Sequence, residues 1–321
     1  MYKLIDKKIR KYERIIIHRH KNPDMDAIGS QAGLYYLIKE NFPKKEVYMV
    51  GDSNKFDMEN LMHDIPDSYY KDALVFILDV AVKEMVCDER YLLAKEVIVI
   101  DHHANPSDIE DCILFVDPES SSATQYITEI FKSLNYKFNK EAASYLFYGM
   151  VTDTGRFKWM RKAETAFAAA SFLASKGAVI EPFYNWLYTE SLENRKIKTF
   201  FEARLVYEEG IAYLKNDQDV LDELGVDFFT VSRGMANLAS GIEEIKIWLN
   251  FTYNKETDKV MGEFRSRDIN IVEVAKKFGG GGHVYACGAT LKDFAEADLV
   301  IEEYKKLLKE WKHERKESYF K

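Results

Sequence analysis

Cysteine is scarce in this sequence. Its 321 residues carry three, Cys87, Cys112 and Cys287, and no two form a CxxC pair. That excludes a disulfide-stapled scaffold, and an odd count without secretory features points to reduced thiols that pack as small hydrophobes. Long apolar runs are missing too: none approaches the roughly 20 residues a membrane-spanning helix needs. The N-terminal "MYKLIDKKIRKYERI" has basic residues but no apolar segment after them, so it does not read as a signal peptide, and a cytoplasmic protein is expected. Positive charge is also short. Lys and Arg number 45 against 53 Asp and Glu, a formal net charge of −8. Proteins that coat long nucleic acid need a broad basic face, so that class is excluded; a small phosphorylated ligand in a local pocket is not. Internal repeats and low-complexity tracts are absent as well.

What is present is ordinary globular composition, 47% hydrophobic and 31% charged, in a chain long enough for two domains. The first half alternates apolar runs with amphipathic segments. "RIIIH" (14–18), "KEVYMV" (45–50), "ALVFILDV" (73–80), "EVIVID" (96–101) and "CILFVD" (112–117) read as strands. "AIGSQAGLYYLIKENF", "SSATQYITEIFKSLN" and "EAASYLFYGMVTD" read as helices. Near-continuous apolar strands between helices predict an α/β, doubly wound, mostly parallel sheet covered on both faces, here over residues 1–189. Residues 190–209 read as a charged helical linker. Residues 210–321 read as a smaller α+β domain, with strand-like "GIAYLKN", "FFTVSRGM", "IKIWLNFTYN" and "KVMGEFRSR", then a helical "NIVEVAKKF" and "GGGGH". The tail from about Glu296 reads as a solvated charged helix with no role beyond solubility.

Acidic and histidine residues gather where the first-half strands end. His20, Asp24 and Asp26 stand in "HKNPDMDAIGS", Asp79 ends "VFILD", and Asp101, His102 and His103 end "VIVIDHH". Asp153 follows a helix in "VTDTGRF". In an open parallel sheet the carboxyl ends of the strands share one edge, where ligands bind, so these side chains are expected to meet. A lone Asp in "NPD" caps a helix, and a lone "HH" is surface or core. Chance capping does not gather three of seven histidines beside acids. Packed carboxylates repel one another unless cations compensate. An oxygen and nitrogen ligand set without thiols suits Mn²⁺ or another first-row divalent ion, with Mg²⁺ and Zn²⁺ open. Enough ligands are present for two ions, an arrangement suited to hydrolysing a phosphate ester.

The second half carries another pattern, "FGGGGHVYACGAT", preceded by Arg265 and Arg267 and by Lys276 and Lys277. Glycines admit an anion close to backbone N–H groups, and arginine grips phosphate as a fork.

Taken in order, "HKNPDMDAIGS", "ILDVA", "DHHANP", "SSSATQ", "VTDTGRF" and "FGGGGHVYACGA" resemble the motifs of the DHH phosphoesterases, of the two-domain DHH/DHHA1 type, over essentially the whole chain. Within that family the spellings look most like the oligoribonuclease and 3′-phosphoadenosine 5′-phosphate (pAp) phosphatase group, the nano-RNases. The resemblance implies two Mn²⁺ ions, one held by His20, Asp24 and Asp79. The other is held by Asp26, Asp79, His102 and Asp153, with Asp79 bridging. It makes His103 the residue facing the substrate phosphate, to stabilise charge or donate a proton, and leaves Asp101 to support the histidines. His18, two residues before the motif histidine, stays structural or supporting. Ser121, Ser122 and Thr124 match the serine motif near the site; a helix N-cap is an equal and compatible role. Arg156 is placed to meet the phosphate, and Arg265, Gly280, Gly281, Gly282 and His283 to hold the distal part of the nucleotide.

The expectation is a Mn²⁺-dependent phosphoesterase for very short RNA and pAp, in which water attacks and a cleft between the domains limits substrate length. A phosphodiesterase for linear or cyclic dinucleotides is not separated from this reading. A manganese inorganic pyrophosphatase shares the first-domain logic, but "GGGGH" counts against it. A nucleotide-binding sensor would need a broken metal set, and every expected ligand is present. No long nucleic acid and no membrane is expected as a partner. The oligomeric state stays open, a homodimer included.

Overall fold

The computed structural model describes residues 2–318 apart from 55, 58 and 59. Residues up to Thr189 make up one compact unit, and those from Glu190 onward make up a second. In the first, β1 (Arg14–His18), β2 (Glu46–Met49), β3 (Leu74–Leu78), β4 (Glu96–Asp101) and β5 (Cys112–Val116) form a sheet in the order β2-β1-β3-β4-β5. Every pairing is parallel. The apolar runs are continuous because alternate residues enter different cores: Ile15, Ile17, Phe76 and Ile98 on one face, Ile16, Val75, Ile77 and Val99 on the other. The first face is covered by α1 (Lys3–Lys11), α2 (Met25–Asn41), α3 (Ala123–Ser133), α4 (Lys140–Asp153), α5 (Ala163–Ser175) and α6 (Glu181–Tyr188). Short 3₁₀ helices at Asp67–Tyr69, Lys83–Met85 and Glu89–Leu93, with their flanking loops, cover the second.

Two glycines set the closest helix contact. A Cβ at Gly29 of α2 would lie 2.5 Å from the Tyr145 carbonyl oxygen of α4, and one at Gly149 of α4 would lie 2.8 Å from Asp26 Oδ1. The two helices therefore meet backbone to backbone. That contact brings the N-terminus of α2, with Asp24 and Asp26, to the C-terminal end of α4, with Asp153.

The second unit begins with α7 (Leu192–Ala203), β6 (Val206–Glu208), β7 (Ile211–Asn216), α8 (Gln218–Leu224) and α9 (Phe228–Ser232). It continues through β8 (Ile247–Asn254), β9 (Lys259–Ser266), α10 (Val272–Lys277), β10 (Gly281–His283), β11 (Ala286–Leu291) and α11 (Phe294–Ser318). Its sheet runs β10-β11-β9-β8-β7-β6, antiparallel except for β7–β8.

Three sequence expectations change here. "FFTVSRGM" opens as the short helix α9 rather than a strand. Asp227 caps it by accepting from Thr230 N at 3.0 Å, and Asn250 Nδ2 donates to the carbonyls of Val231 and Ser232 at 2.8 and 2.7 Å. The charged tail is not a merely solvated helix. Ala297, Val300, Ile301, Tyr304 and Leu308 recur at helical spacing and are buried in the core with Phe251 and Phe264, leaving the charges to the outer face. The charged segment 190–209 is helical only over Leu192–Ala203, and its Phe201 is wholly buried with Leu214, Leu221 and Val231 of the second unit. Among the described residues no helix is long and apolar enough to cross a membrane.

Candidate metal centre

In strand order 2-1-3-4-5 the chain reverses direction between β1 and β3, and such a switch point opens a crevice at the carboxyl ends of the strands. His20, Asp24 and Asp26 follow β1, Asp79 follows β3, and Asp101 to His103 close β4. The sheet therefore delivers all of them to one place, and α4 adds Asp153.

The distances bear this out. His20 Nε2 lies 3.8 Å from Asp24 Oδ1 and 3.6 Å from Asp79 Oδ2. His102 Nε2 lies 3.5 Å from Asp79 Oδ1, 3.7 Å from Asp153 Oδ2 and 3.9 Å from Asp26 Oδ2. Three groups present ligand atoms close enough to share an ion: His20 with Asp24 and Asp79, Asp26 with His102 and Asp153, and Asp79 with His102 and His103. A cavity of about 330 Å³ opens over them, and Val80, Ala81, Val82, Met85 and Asn105 complete its wall.

Each carboxylate is fixed by its surroundings. Asp24 caps α2, accepting from Asp26 N at 2.9 Å and Ala27 N at 3.0 Å. Asp26 is buried and accepts from Ala123 N at 2.7 Å and Thr124 N at 3.1 Å, tying α2 to the start of α3. Asp79 sits at φ +59°, the left-handed region that Asp tolerates better than most residues, just past β3. Its Oδ1 is buried and accepts no hydrogen bond. Asp101 accepts from His102 N at 2.8 Å and lies 2.8 Å from His103 Nδ1, which orients that ring while leaving it half exposed.

Electrostatics match the geometry. Burial opposes charge on His20, yet Asp24 and Asp79 outweigh it and raise the imidazole to about 10. His102 is likewise raised to about 10 against burial, by Asp79, Asp26 and Asp153. Burial, then repulsion from Asp79 and Asp153, pushes Asp26 well above the carboxylate range. Burial raises Asp153 to about 6, with His102 pulling the other way and Asp79 and Asp24 adding to the rise. The hydrogen bond with Asp101 raises His103. These are acids crowded together with protons standing where a cation would compensate them. The buried Asp79 oxygen that accepts no hydrogen bond and the mixed carboxylate and imidazole donors fit a divalent first-row ion.

The remaining candidate residues stand elsewhere. Ser122 is the N-cap of α3, accepting from Gln125 N at 3.0 Å, and Ser121 Oγ accepts from Arg161 N at 3.0 Å, so both buried hydroxyls serve the fold. Arg156 is exposed just beyond α4. In the second unit, Arg265 pairs with Glu263 at 3.0 Å and donates to the carbonyl of Phe264. Gly281, Gly282 and His283 form the exposed strand β10, with Gly280 just before it. Arg267, grouped with Arg265 as a phosphate ligand from the sequence, instead spends its guanidinium on the carbonyls of Ile242, Glu243 and Ile245. Lys276 and Lys277 are paired with Glu273 and Glu303.

Sequence reasoning passed over Arg19. Its guanidinium is fully buried and donates to Gln31 Oε1 at 3.0 Å, to the His20 carbonyl at 3.2 Å and to the Asp52 carbonyl, bracing the turn that carries His20. The only available signal was an arginine inside an apolar strand end, "IIIHRH".

A parallel α/β sheet whose strand ends gather aspartates and histidines around a cavity defines a metal-assisted hydrolase of the phosphoesterase class. Residues 14–150 match the DHH family, N-terminal domain, and residues 229–314 match the DHHA1 domain. The Bacillus subtilis bifunctional oligoribonuclease and PAP phosphatase NrnA is 32% identical, over 93% of this chain and 96% of its own. A Mycoplasma genitalium protein of the same name is 30% identical, over 94% of this chain and 96% of its own. The crystal structure of an exopolyphosphatase-related protein from Bacteroides fragilis shares the fold, with a TM-score of 0.82 at 22% identity over 96% of this chain and 97% of that one. The chain belongs to the DHH family of phosphoesterases, in the group that carries a DHHA1 domain.

Proposed function

We propose that the chain is a cytoplasmic Mn²⁺-dependent phosphoesterase that hydrolyses very short oligoribonucleotides to mononucleotides and pAp to AMP. The observation that carries this reading is the meeting of His20, Asp24, Asp26, Asp79, His102 and Asp153 around a buried Asp79 oxygen that accepts no hydrogen bond. His20, Asp24 and Asp79 would hold one ion, and Asp26, His102 and Asp153, with Asp79 shared, a second. Divalent ions bound there supply Lewis acidity and lower the pKa of water. The protein's own part is positional. Asp24 and Asp26 are immobilised by the backbone amides they cap, so their oxygens need little reordering. His103, held by Asp101 and half exposed to the cavity, holds the proton that the leaving oxygen needs. Arg265, with Gly280, Gly281, Gly282 and His283, grips the part of the nucleotide away from the reacting phosphate. The relatives named above as acting on oligoribonucleotides and PAP support the substrate class.

The test is a substrate panel with Mn²⁺: pAp, pApA, pGpG, RNA from dinucleotide to pentanucleotide, longer RNA, and pyrophosphate. Turnover of pAp and the shortest RNAs, falling steeply with length, is expected. Preference for pApA or pGpG over both would shift the assignment to a dinucleotide phosphodiesterase, and preference for pyrophosphate would overturn it.

A further inference from the structure

Just beyond Asp153 the backbone does something unusual. Gly155, Arg156 and Phe157 have φ of +56°, +65° and +63°, three consecutive left-handed residues of which two are not glycine. Such a turn persists only where the surroundings over-determine it. Thr154 supplies part of that: its hydroxyl accepts from Phe157 N at 2.9 Å, and its carbonyl accepts from Lys158 N and Trp159 N at 2.9 and 2.8 Å. Phe157 supplies the rest by packing inward, its ring 5.6 Å from Phe167 and 6.2 Å from Phe147. The consequence is that Phe157 anchors the turn while the neighbouring Arg156 is thrown outward.

Arg156 does not project into empty solvent. Its guanidinium lies over the ring of Tyr188, 5.8 Å from the centroid, and Tyr188 stacks at 16° with Tyr184, 6.0 Å away. Tyr188 is 63% exposed, so this stacked guanidinium and aromatic group stands at the surface instead of in the core. Arg156, which lies over it, stands three residues along the chain from Asp153, a carboxylate of the metal centre. Flat aromatic and guanidinium surfaces beside a phosphate-processing centre are what unstacked nucleobases pack against.

We propose that Arg156 and Tyr188 form a stacking platform for the nucleobase of the nucleotide whose phosphate is hydrolysed. The proposal rests on the phosphoesterase reading above and adds to it the part of the first unit that recognises a nucleoside in place of a bare phosphate. Stacking tolerates any base, so the platform reads the presence of a base and not its identity.

The experiment compares the binding of AMP and ribose 5-phosphate, by calorimetry with Mn²⁺, to the full chain and to Tyr188→Ala, Tyr188→Phe and Arg156→Ala. The exposed position of Tyr188 leaves folding intact, which a thermal melt checks. Wild type should bind AMP more tightly than ribose 5-phosphate. Tyr188→Ala should weaken AMP by roughly 5- to 150-fold, the range of base–aromatic stacking, and leave ribose 5-phosphate unchanged. Tyr188→Phe should restore AMP binding, and Arg156→Ala should weaken AMP more than ribose 5-phosphate. Equal affinity of wild type for the two ligands, binding of neither, or equal losses in Tyr188→Ala would overturn the platform. Hydrolysis of pAp and short RNA is scored separately. AMP binding through Tyr188 without such hydrolysis refutes the proposed reaction alone, and hydrolysis with AMP binding indifferent to Tyr188 refutes the platform alone.

Discussion

Asp79 combines a left-handed backbone with a buried carboxylate oxygen that accepts no hydrogen bond, so its two demands can be separated by substitution. Asn tolerates the same φ and removes the charge, whereas Ala adds backbone cost. Asp79→Asn should therefore keep the thermal midpoint of the metal-free protein and lower turnover roughly a thousandfold, the several kcal/mol that Lewis-acid catalysis contributes. Near-wild-type turnover at saturating Mn²⁺ would end the shared-ligand assignment. His102 and His103 divide differently. His102 reaches three carboxylates, while His103 is held by Asp101. His102→Ala should reduce bound Mn²⁺ by elemental analysis, and His103→Ala should reduce turnover with metal retained; equal metal loss would show that His103 is itself a ligand. His18, buried with its Nε2 3.2 Å from the Tyr70 hydroxyl, titrates in the opposite direction to the site histidines. Burial lowers it to about 3, with Asp88 opposing and Arg90 and Arg19 assisting. The folded state thus refuses a proton that the unfolded chain takes up near pH 6.5. Stability from this residue is full above pH 6.5 and falls by about 1.4 kcal/mol per pH unit on acidification toward pH 3. Urea melts at pH 7 and pH 5 should show His18→Phe losing about 2 kcal/mol less than wild type over that interval.

Among the elements, the contact of α2 with α4 decides whether the centre assembles. Gly29 has no room for a methyl group against a backbone carbonyl, which cannot move as a side-chain end would. Gly29→Ala should cost about 1–3 kcal/mol by overpacking and, by parting Asp26 from Asp153, weaken Mn²⁺ binding as well. Denaturant melts with and without the ion separate the two effects: a stability loss with unchanged metal affinity would mean the helices shift together. Glycine at 29 and 149 was visible in the sequence, but which helix each one met was not, since that depends on crossing geometry.

At the scale of the whole molecule, the proposed function puts chemistry in one unit and substrate affinity in the other. The carboxylates and imidazoles lie in the first, and Arg265 with the glycine strand lies in the second. Arg265→Ala should raise KM for pAp and short RNA about 10- to 150-fold, the worth of one charge-assisted contact, while hydrolysis of a small phosphate ester stays nearly constant. An equal loss of kcat/KM on both substrates would place Arg265 in the reacting site. Because Arg265 pairs with Glu263, part of any phosphate contact must first displace that carboxylate, so Glu263→Gln should tighten binding of pAp.

The parallel sheet, its strands and the gathering of aspartates and histidines near the strand ends were legible in the amino-acid order, whereas the choice of six among them as metal ligands came from the family resemblance. Period and composition encode burial, and a strand's end marks where its following side chains emerge. Asp24 and Ser122 as helix caps were equally legible, because capping is local. What folding alone settled were matters of long-range packing. Asp26 became a strut between two helices, Arg19 a brace for His20, and Arg267 a partner of backbone carbonyls. The tail became a core helix, because its apolar residues, set at helical spacing among many charges, meet the sheet of the second unit. The same holds for the left-handed turn after Asp153. Only its anchoring by Thr154 and Phe157 makes a backbone that non-glycine residues avoid the favoured one, and that anchoring turns Arg156 toward Tyr188.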